Sequence, residues 1–409
     1  MTLHRNHYAW VVLSIGCTLA GGSPEAAAGG QAPSPEELER LRSLPYAGSA
    51  RPGTPDLDGV TIHDRVQAQP GVNLYTIQKA STAELIDADG RVLRSWRQEP
   101  AFTWERADLL PSGDLIVVGA DPPDDARVGI PDDKRFVAKY DWDGRLLWKR
   151  YLRAHHDIEQ TPSGMLLVLT FERKQLRKYH RKVDTRDDLL TLLDQNGAVV
   201  DSVSLLEVFS RSPGVEMAAA GVNSHGVRPW LDLFHANSVE WMYQPELAAR
   251  DPRYGPDNVL VCMRHQNRVA IINWPERRIV WTWGPGELLG PHDAQVLANG
   301  NVLIFDNGLG RRWSRAVEVD PTSDRIVWEY RAPEPTDFYT LSKGSCQRLA
   351  NGNTLLANSD NGKAFEVTPA GTIVWSFATP HRDSSGDRLA IVRIRRLDTA
   401  IVEEFSRGR

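Results

Sequence analysis

From about Gly59 onward the chain repeats a polar turn, often acidic or carrying glycine, followed by an apolar strand that often ends in tryptophan. The first three copies read Asp87-Ala-Asp-Gly90-Arg-Val-Leu-Arg-Ser-Trp96, Asp141-Trp-Asp-Gly144-Arg-Leu-Leu-Trp148 and Asp194-Gln-Asn-Gly197-Ala-Val-Val. Pro275-Glu-Arg-Arg278-Ile-Val-Trp281, Ser323-Asp324-Arg-Ile-Val-Trp328 and Pro369-Ala-Gly371-Thr-Ile-Val-Trp375 bring the count to six. A second phrase precedes it in most repeats, a Ser-Gly or Asn-Gly turn leading into an apolar strand. It occurs at Pro111-Ser-Gly113, Pro162-Ser-Gly164, Asn299-Gly300 and Asn351-Gly352, and in altered form at Pro256-Asp-Asn258. Gly and Asn tolerate the positive φ of tight hairpin turns, so these dipeptides join antiparallel strands. A period of roughly fifty residues accommodates four short strands, the size of one propeller blade. The pattern predicts an all-β fold, a six-bladed β-propeller over residues 59–409. The late apolar strand Leu389-Ala-Ile-Val-Arg-Ile is expected to complete a blade with Val72–Tyr75, closing the ring and removing exposed sheet edges. The phase slips once, between repeats three and four. The extra segment Leu205–Asp232 is expected to form a long loop over one face, a candidate lid.

The N-terminus follows a different pattern. Arg5 precedes an apolar stretch from Tyr8 to Ala20, which matches a signal h-region and is short for a membrane span. Residues 1–28 are therefore expected to be an export signal ending at Ala26-Ala27-Ala28, with Cys17 as an alternative lipidation site and the only route to a membrane. Residues 29–58 form a linker in which Ser34-Pro35-Glu36-Glu37 is a capping box opening a short helix through about Leu44. The expected location is periplasmic or secreted.

Composition narrows the function classes. The 409 residues are 41% hydrophobic and 25% charged, as in a globular protein, and a net charge of −5 supplies no basic field for nucleic acid. Beyond Cys17 only Cys262 and Cys346 remain; both fall in strand patterns of different repeats and read as buried thiols. There is no P-loop, no Gly-x-Ser-x-Gly elbow and no Cys-His pair of family-like spacing.

The histidines are unevenly placed. His156-Asp157 opens the strand before the Ser163-Gly164 turn, and His292-Asp293 opens the equivalent strand before Asn299-Gly300. In the fourth repeat His235, within Phe234-His235-Ala236-Asn237-Ser238, is read at the matching place. The first strand of each blade lines the channel of a propeller, so the three residues should converge on the axis. Repeats two and six carry Glu105-Arg106 and Gly344-Ser345 there instead, which argues against a purely structural device. Arg264 ends the next strand of the fourth repeat, where Asn307 and Ser359 stand in repeats five and six. By strand alternation His155 and His265 should point away from the channel. Three imidazoles suit Zn²⁺ or Cu²⁺. A guanidinium beside them instead suits a tetrahedral oxyanion, with one neutral histidine as nucleophile and another as general acid.

The segments around His156-Asp157, Phe234–Ser238, Met263-Arg264-His265-Gln266 and His292-Asp293 through Asn307-Gly308 resemble the bacterial arylsulfate sulfotransferases. That resemblance implies an exported six-bladed propeller moving a sulfuryl group from an aryl sulfate ester to a phenolic acceptor. It implies a covalent sulfohistidine, no nucleotide sulfate donor, no cofactor and no metal. Under it, His292 is the nucleophile, while His156, His235, Asn237 and Arg264 hold sulfuryl oxygens or transfer protons, and Asn307 joins the substrate site. Two alternatives stand beside it: a non-catalytic propeller binding a ligand or partner through its top loops, and a metal-dependent hydrolase or lyase using the channel histidines.

Overall fold

The computed structural model describes residues 57–406 apart from 125–129, 220, 224–228 and 243. The signal segment, Cys17 and the linker helix lie outside the described residues. The remainder forms six antiparallel sheets in a ring. Blade 2 runs Thr103–Leu109, Leu115–Ala120, Arg135–Tyr140 and Leu146–Tyr151 from axis to rim, and blades 3 to 6 repeat the order. Blade 1 is assembled from both ends of the chain: Ile391–Leu397 is its innermost strand, paired antiparallel with Val72–Ile77. The expected closure is therefore present. A second closure was not anticipated, since Gly59–His63 adds a fifth, outer strand to blade 6.

The repeated tryptophans act at the rim. Trp96, Trp148, Trp328 and Trp375 donate their indole N–H to the carbonyls of Asp141, Gln195, Pro369 and Ala88 in the turn of the next blade. From blade 4, Trp283 donates to the Asp324 carbonyl and Trp281 to the Asp324 carboxylate. The third repeat lacks this tryptophan, and there the bond is reversed: Trp274 of blade 4 donates back to Asp201 at 2.9 Å. A buried or half-buried indole N–H needs an acceptor, so the residue fastens neighbouring blades while filling the wedge between them.

A second set of links runs around the axis. Asp157, Ser238, Asp293 and Ser345, on the innermost strands of blades 3 to 6, accept the backbone N–H of Val239, Ala294, Cys346 and Ile394 on the next blade. Thr76 accepts from Ala107 between blades 1 and 2, and Arg106 pairs with Asp157 at 3.1 Å between blades 2 and 3. Arg393 spans the channel from blade 1 to Asp293 at 3.1 Å and Asp157 at 3.7 Å. Cys262 and Cys346 are free, buried thiols.

The segment after blade 3 is more ordered than a loop. Leu205–Ser210 is a helix capped by Ser204. Val222–Asn223 and Trp230–Asp232 then add two short strands to the sheet, the latter parallel to Asp184–Arg186. The insertion thus extends blade 3 and delivers Asp232 to the top of the channel.

Toward the other end of the channel carboxylates crowd together. Burial, with Asp293 and Asp157 nearby, pushes Glu240 up to about 7 although it accepts the N–H of Val296. A carboxyl whose pKa is raised on folding adds stability that is complete below the ordinary carboxylate range and lost as pH rises through about 7. Replacing Glu240 by Gln removes that loss. The Tm of Glu240→Gln relative to wild type should therefore rise between pH 5 and pH 8; a pH-independent difference in thermal melts would contradict this.

Candidate active site

Strand register places the channel residues. Counting four back from the last rung shared with the second strand (Leu109, Gln160, Trp241, Val296, Arg348) gives Glu105, His156, Asn237, His292 and Gly344. Blade 4 therefore puts Asn237, not His235, at the level of His156 and His292. His235 lies two residues earlier, because the connection between the first two strands of blade 4 is lengthened by Pro245–Ala248 and Pro252–Tyr254. Gly344 has no room for a side chain: at φ +102° its Cβ would sit 2.3 Å from the Phe305 ring.

His235 nevertheless enters the pocket. Its ring centroid lies 4.9 Å from that of His156 and 4.7 Å from that of His265. The expectation that His265 points outward fails because Arg264–Gln266 is a 3-10 turn, where strand alternation does not hold. Backbone bonds from Arg264 to His235 and from His265 to Phe234 bring the two segments together. Arg264 donates Nη1–H to Nε2 of His265 at 3.0 Å, and its side chain is buried. As anticipated, Arg264, Asn307 and Ser359 each directly follow the second strand of their blade. His155 also departs from simple alternation. It is wholly buried beneath His156, with Nδ1 of the two rings 2.9 Å apart; His156 itself has φ +57°.

Hydrogen-bond partners decide which nitrogen of each ring carries a proton. Nδ1 of His292 faces two acceptors, Oδ1 of Asn307 at 2.6 Å and the Gly290 carbonyl at 3.1 Å, so it is the N–H. The Asn307 amide cannot be reversed, because its Nδ2 donates to the Thr340 and Lys343 carbonyls. Nε2 of His292 is thus left with a lone pair. His155 donates from Nε2 to the Thr170 carbonyl and so accepts at Nδ1 from His156, whose Nε2 is bare in turn. His235 donates Nδ1–H to Asp232 at 2.7 Å, with the same consequence.

The charge states follow from burial and neighbours. Burial, reinforced by Arg264 and opposed by the bond to Asn307, holds His292 well below the ordinary imidazole pKa, so the ring is neutral at physiological pH. Burial also lowers His156, to about 4, against the pull of Glu105. Glu105 accepts the backbone N–H of His156 at 2.8 Å and pairs with Arg135 at 2.8 Å; although burial alone would raise it, Arg135 and His156 hold it down to about 2. Repeat spacing marks Glu105 only as the residue standing in place of a histidine, and Asp232 only as the end of an insertion. The signals present were the shared level of Glu105 with His156 and the three-residue step from Asp232 to His235.

The other expected residues are beside His292. Asn237 donates Nδ2–H to the Pro291 carbonyl at 2.8 Å, and its buried Oδ1 has no hydrogen-bond partner. Asn307 is fully buried behind His292, and its amide is spent on the imidazole and two carbonyls. That makes it a support for the ring, with no group left over for a substrate. Among the described residues, Asp232, His235 and His265 have the spacing of metal ligands, whereas the three channel histidines do not. Both nitrogens of His265 and one of His235 are already engaged, and the Arg264 guanidinium sits on the first of these rings. The set does not fit a cation. A cavity of about 470 Å³ lined by Glu159, Glu240, Trp241 and Gln244 lies at the far end of the same strands, away from the histidines.

The family model described as Arylsulfotransferase (ASST) matches residues 136–380. The arylsulfate sulfotransferase AssT of Escherichia coli O6:H1 (strain CFT073) is 23% identical over 289 residues, covering 52% of this chain and 46% of that protein. The chain thus matches about half the length of that relative. A protein of unknown function from Bacteroides caccae aligns with a TM-score of 0.50 at 15% identity, over 80% of this chain and 98% of its own. The periplasmic gluconolactonase PpgL of Pseudomonas aeruginosa aligns at a TM-score of 0.45 and 14% identity, over 80% and 98%. At 15% identity the first of these speaks to the fold alone.

Removing the Asn307 amide leaves the His292 N–H with only the longer contact to the Gly290 carbonyl and takes a donor from the Thr340 and Lys343 carbonyls. Asn307→Ala is expected to lower unfolding stability by about 3 kcal/mol, measured by denaturant titration. A loss below about 1 kcal/mol would mean that water or neighbouring groups take over these bonds.

Proposed function

The chain belongs to the arylsulfotransferase family, and from that premise we propose that it moves a sulfuryl group between phenols by a ping-pong route through His292, without a nucleotide sulfate donor. The observation that carries this reading is the His292 ring: buried, neutral, with Nδ1–H committed to Asn307 and a lone pair on Nε2. In the first half-reaction Nε2 attacks sulfur as the S–O(aryl) bond breaks, and the electron pair of that bond stays on the phenolate oxygen. His235, neutral at rest, takes a proton from solvent at Nε2 as the sulfate anion enters beside it, and as imidazolium gives that proton to the phenolate oxygen. In the second half an incoming phenol loses its proton to His235 and attacks the sulfohistidine, which restores both rings. Arg264 stabilises charge gathering on the sulfuryl oxygens, an interaction worth several kcal/mol in a dry site. His156 and Asn237 complete the surround, and Asn307 holds the nucleophile.

The donor is a small aryl sulfate and the acceptor a phenol. No helix among the described residues is long and apolar enough to cross a membrane. Export by the N-terminal signal, with periplasmic or secreted action, is part of this proposal. A binding-only propeller would not require the stack of supports behind His292.

The test is intact-mass spectrometry after brief mixing with a chromogenic aryl sulfate and no acceptor. A gain of one sulfuryl group with a matching burst of phenol is expected, both absent in His292→Asn. A folded wild-type protein that gains no mass and releases no phenol would overturn the proposal.

A further inference from the structure

Asp232 is the last residue of the short strand that the insertion adds to blade 3, held in register opposite Arg186. It is almost wholly buried. Each of its acceptors faces the pocket machinery. Oδ2 takes the Nδ1–H of His235 at 2.7 Å, and Oδ1 takes the His235 backbone N–H at 3.2 Å. Its carbonyl oxygen takes the Nδ1–H of His265 at 2.8 Å, and Nε2 of that ring accepts from Arg264. One residue therefore sets the orientation of His235 directly and braces the Arg264 guanidinium through a neutral imidazole.

We propose that Asp232 is the positioning residue of the transfer, its carboxylate stabilising the His235 imidazolium that protonates the leaving phenolate. The inference rests on the transfer chemistry proposed above and assigns a role to a residue outside it. While N–S forms at His292 and S–O(aryl) breaks, the proton passes from Nε2 of His235 to the phenolate oxygen. His235 keeps its Nδ1–H on Asp232 throughout, so the carboxylate stays ionised and no proton is left over. The groups around His235 oppose one another. Burial disfavours its charged form, and His265 and His156 add to that effect; Asp232 favours it without offsetting them, so the ring rests neutral, well below the ordinary imidazole range, until the sulfate anion enters. Behind them stand Arg186 and Asp188, paired at 2.7 Å, together with Glu105 and Arg135. The carboxylate of Asp232 is the negative charge in hydrogen-bond contact with the ring. Without it, a buried imidazole flanked by two others has nothing to sustain its proton.

Asp232→Asn keeps an oxygen acceptor for Nδ1 and removes the charge, so it separates orientation from electrostatics. General-acid assistance matters most when the leaving phenolate is basic. The variant should lose about 100-fold in kcat/KM on an aryl sulfate with a strongly basic leaving phenol and under about tenfold on a nitrophenyl sulfate. Histidine NMR titration of the same variant should show His235 protonating at lower pH than in wild type. Equal losses on both esters, or an unmoved His235 titration, would overturn the assignment and reduce Asp232 to a structural part. If wild type transfers no sulfuryl group at all, the transfer reading falls, while the titration still decides whether Asp232 controls the charge of His235.

Discussion

Everything in the pocket depends on the inter-blade links around the axis. On blades 3 to 6 a side chain of the innermost strand accepts the backbone N–H of the next blade's innermost strand, through Asp157, Ser238, Asp293 and Ser345. These bonds are buried, and a buried N–H left unpaired is costly, so the strands cannot slide past one another. His156, Asn237 and His292 each sit one residue from such a link. Their depth in the channel is inherited from ring closure, and the rim tryptophans complete the restraint from outside. A site made of residues from three blades, as the transfer proposed above requires, needs this rigidity, because reacting atoms must be held to within a fraction of an ångström.

Within that frame the electrostatics are a contest between burial and a few charges. Burial strips protons from His155, His156, His235 and His292 alike. The carboxylates of Glu105 and Asp232 pull the other way on the two rings they touch, and His292 has an amide in place of a carboxylate. A neutral amide orients an imidazole without placing a negative charge beside it, which suits the nucleophile proposed here. A carboxylate orients and also supports the charged form, which suits an acid. Neighbouring histidines are thereby given different chemistry by what stands behind them.

Much of this was legible along the chain. Six polar turns, five of them followed by a Trp-terminated strand, and the Ser-Gly or Asn-Gly hairpins announce six blades because each blade must solve the same packing problem. The late strand at Ile391 had no partner nearby in sequence, and Val72–Ile77 had no inner neighbour, so closure could be inferred. His156 and His292 were found because their blades keep ordinary spacing. His235 was placed one level wrong because the connection before Asn258 is lengthened, and counting from a turn fails when the turn changes. His155 and His265 were misjudged for a related reason. Both stand at breaks in strand geometry, one beside a residue of positive φ and one inside a 3-10 turn.

The sequence by itself determined the number of blades, the closure, the set of chemistry-bearing residue types and which repeats carry them. These are properties of spacing, and spacing survives translation from chain to fold wherever strands are regular. The tertiary structure alone decided the pairings: Asp232 under His235, Glu105 beside His156 from another blade, and Asn307 beneath His292. Tautomer, charge and orientation follow from those contacts. Contacts between side chains on different strands are set by how sheets twist and stack around an axis, and the three-residue step from Asp232 to His235 becomes a contact only through the turn that the fold imposes there.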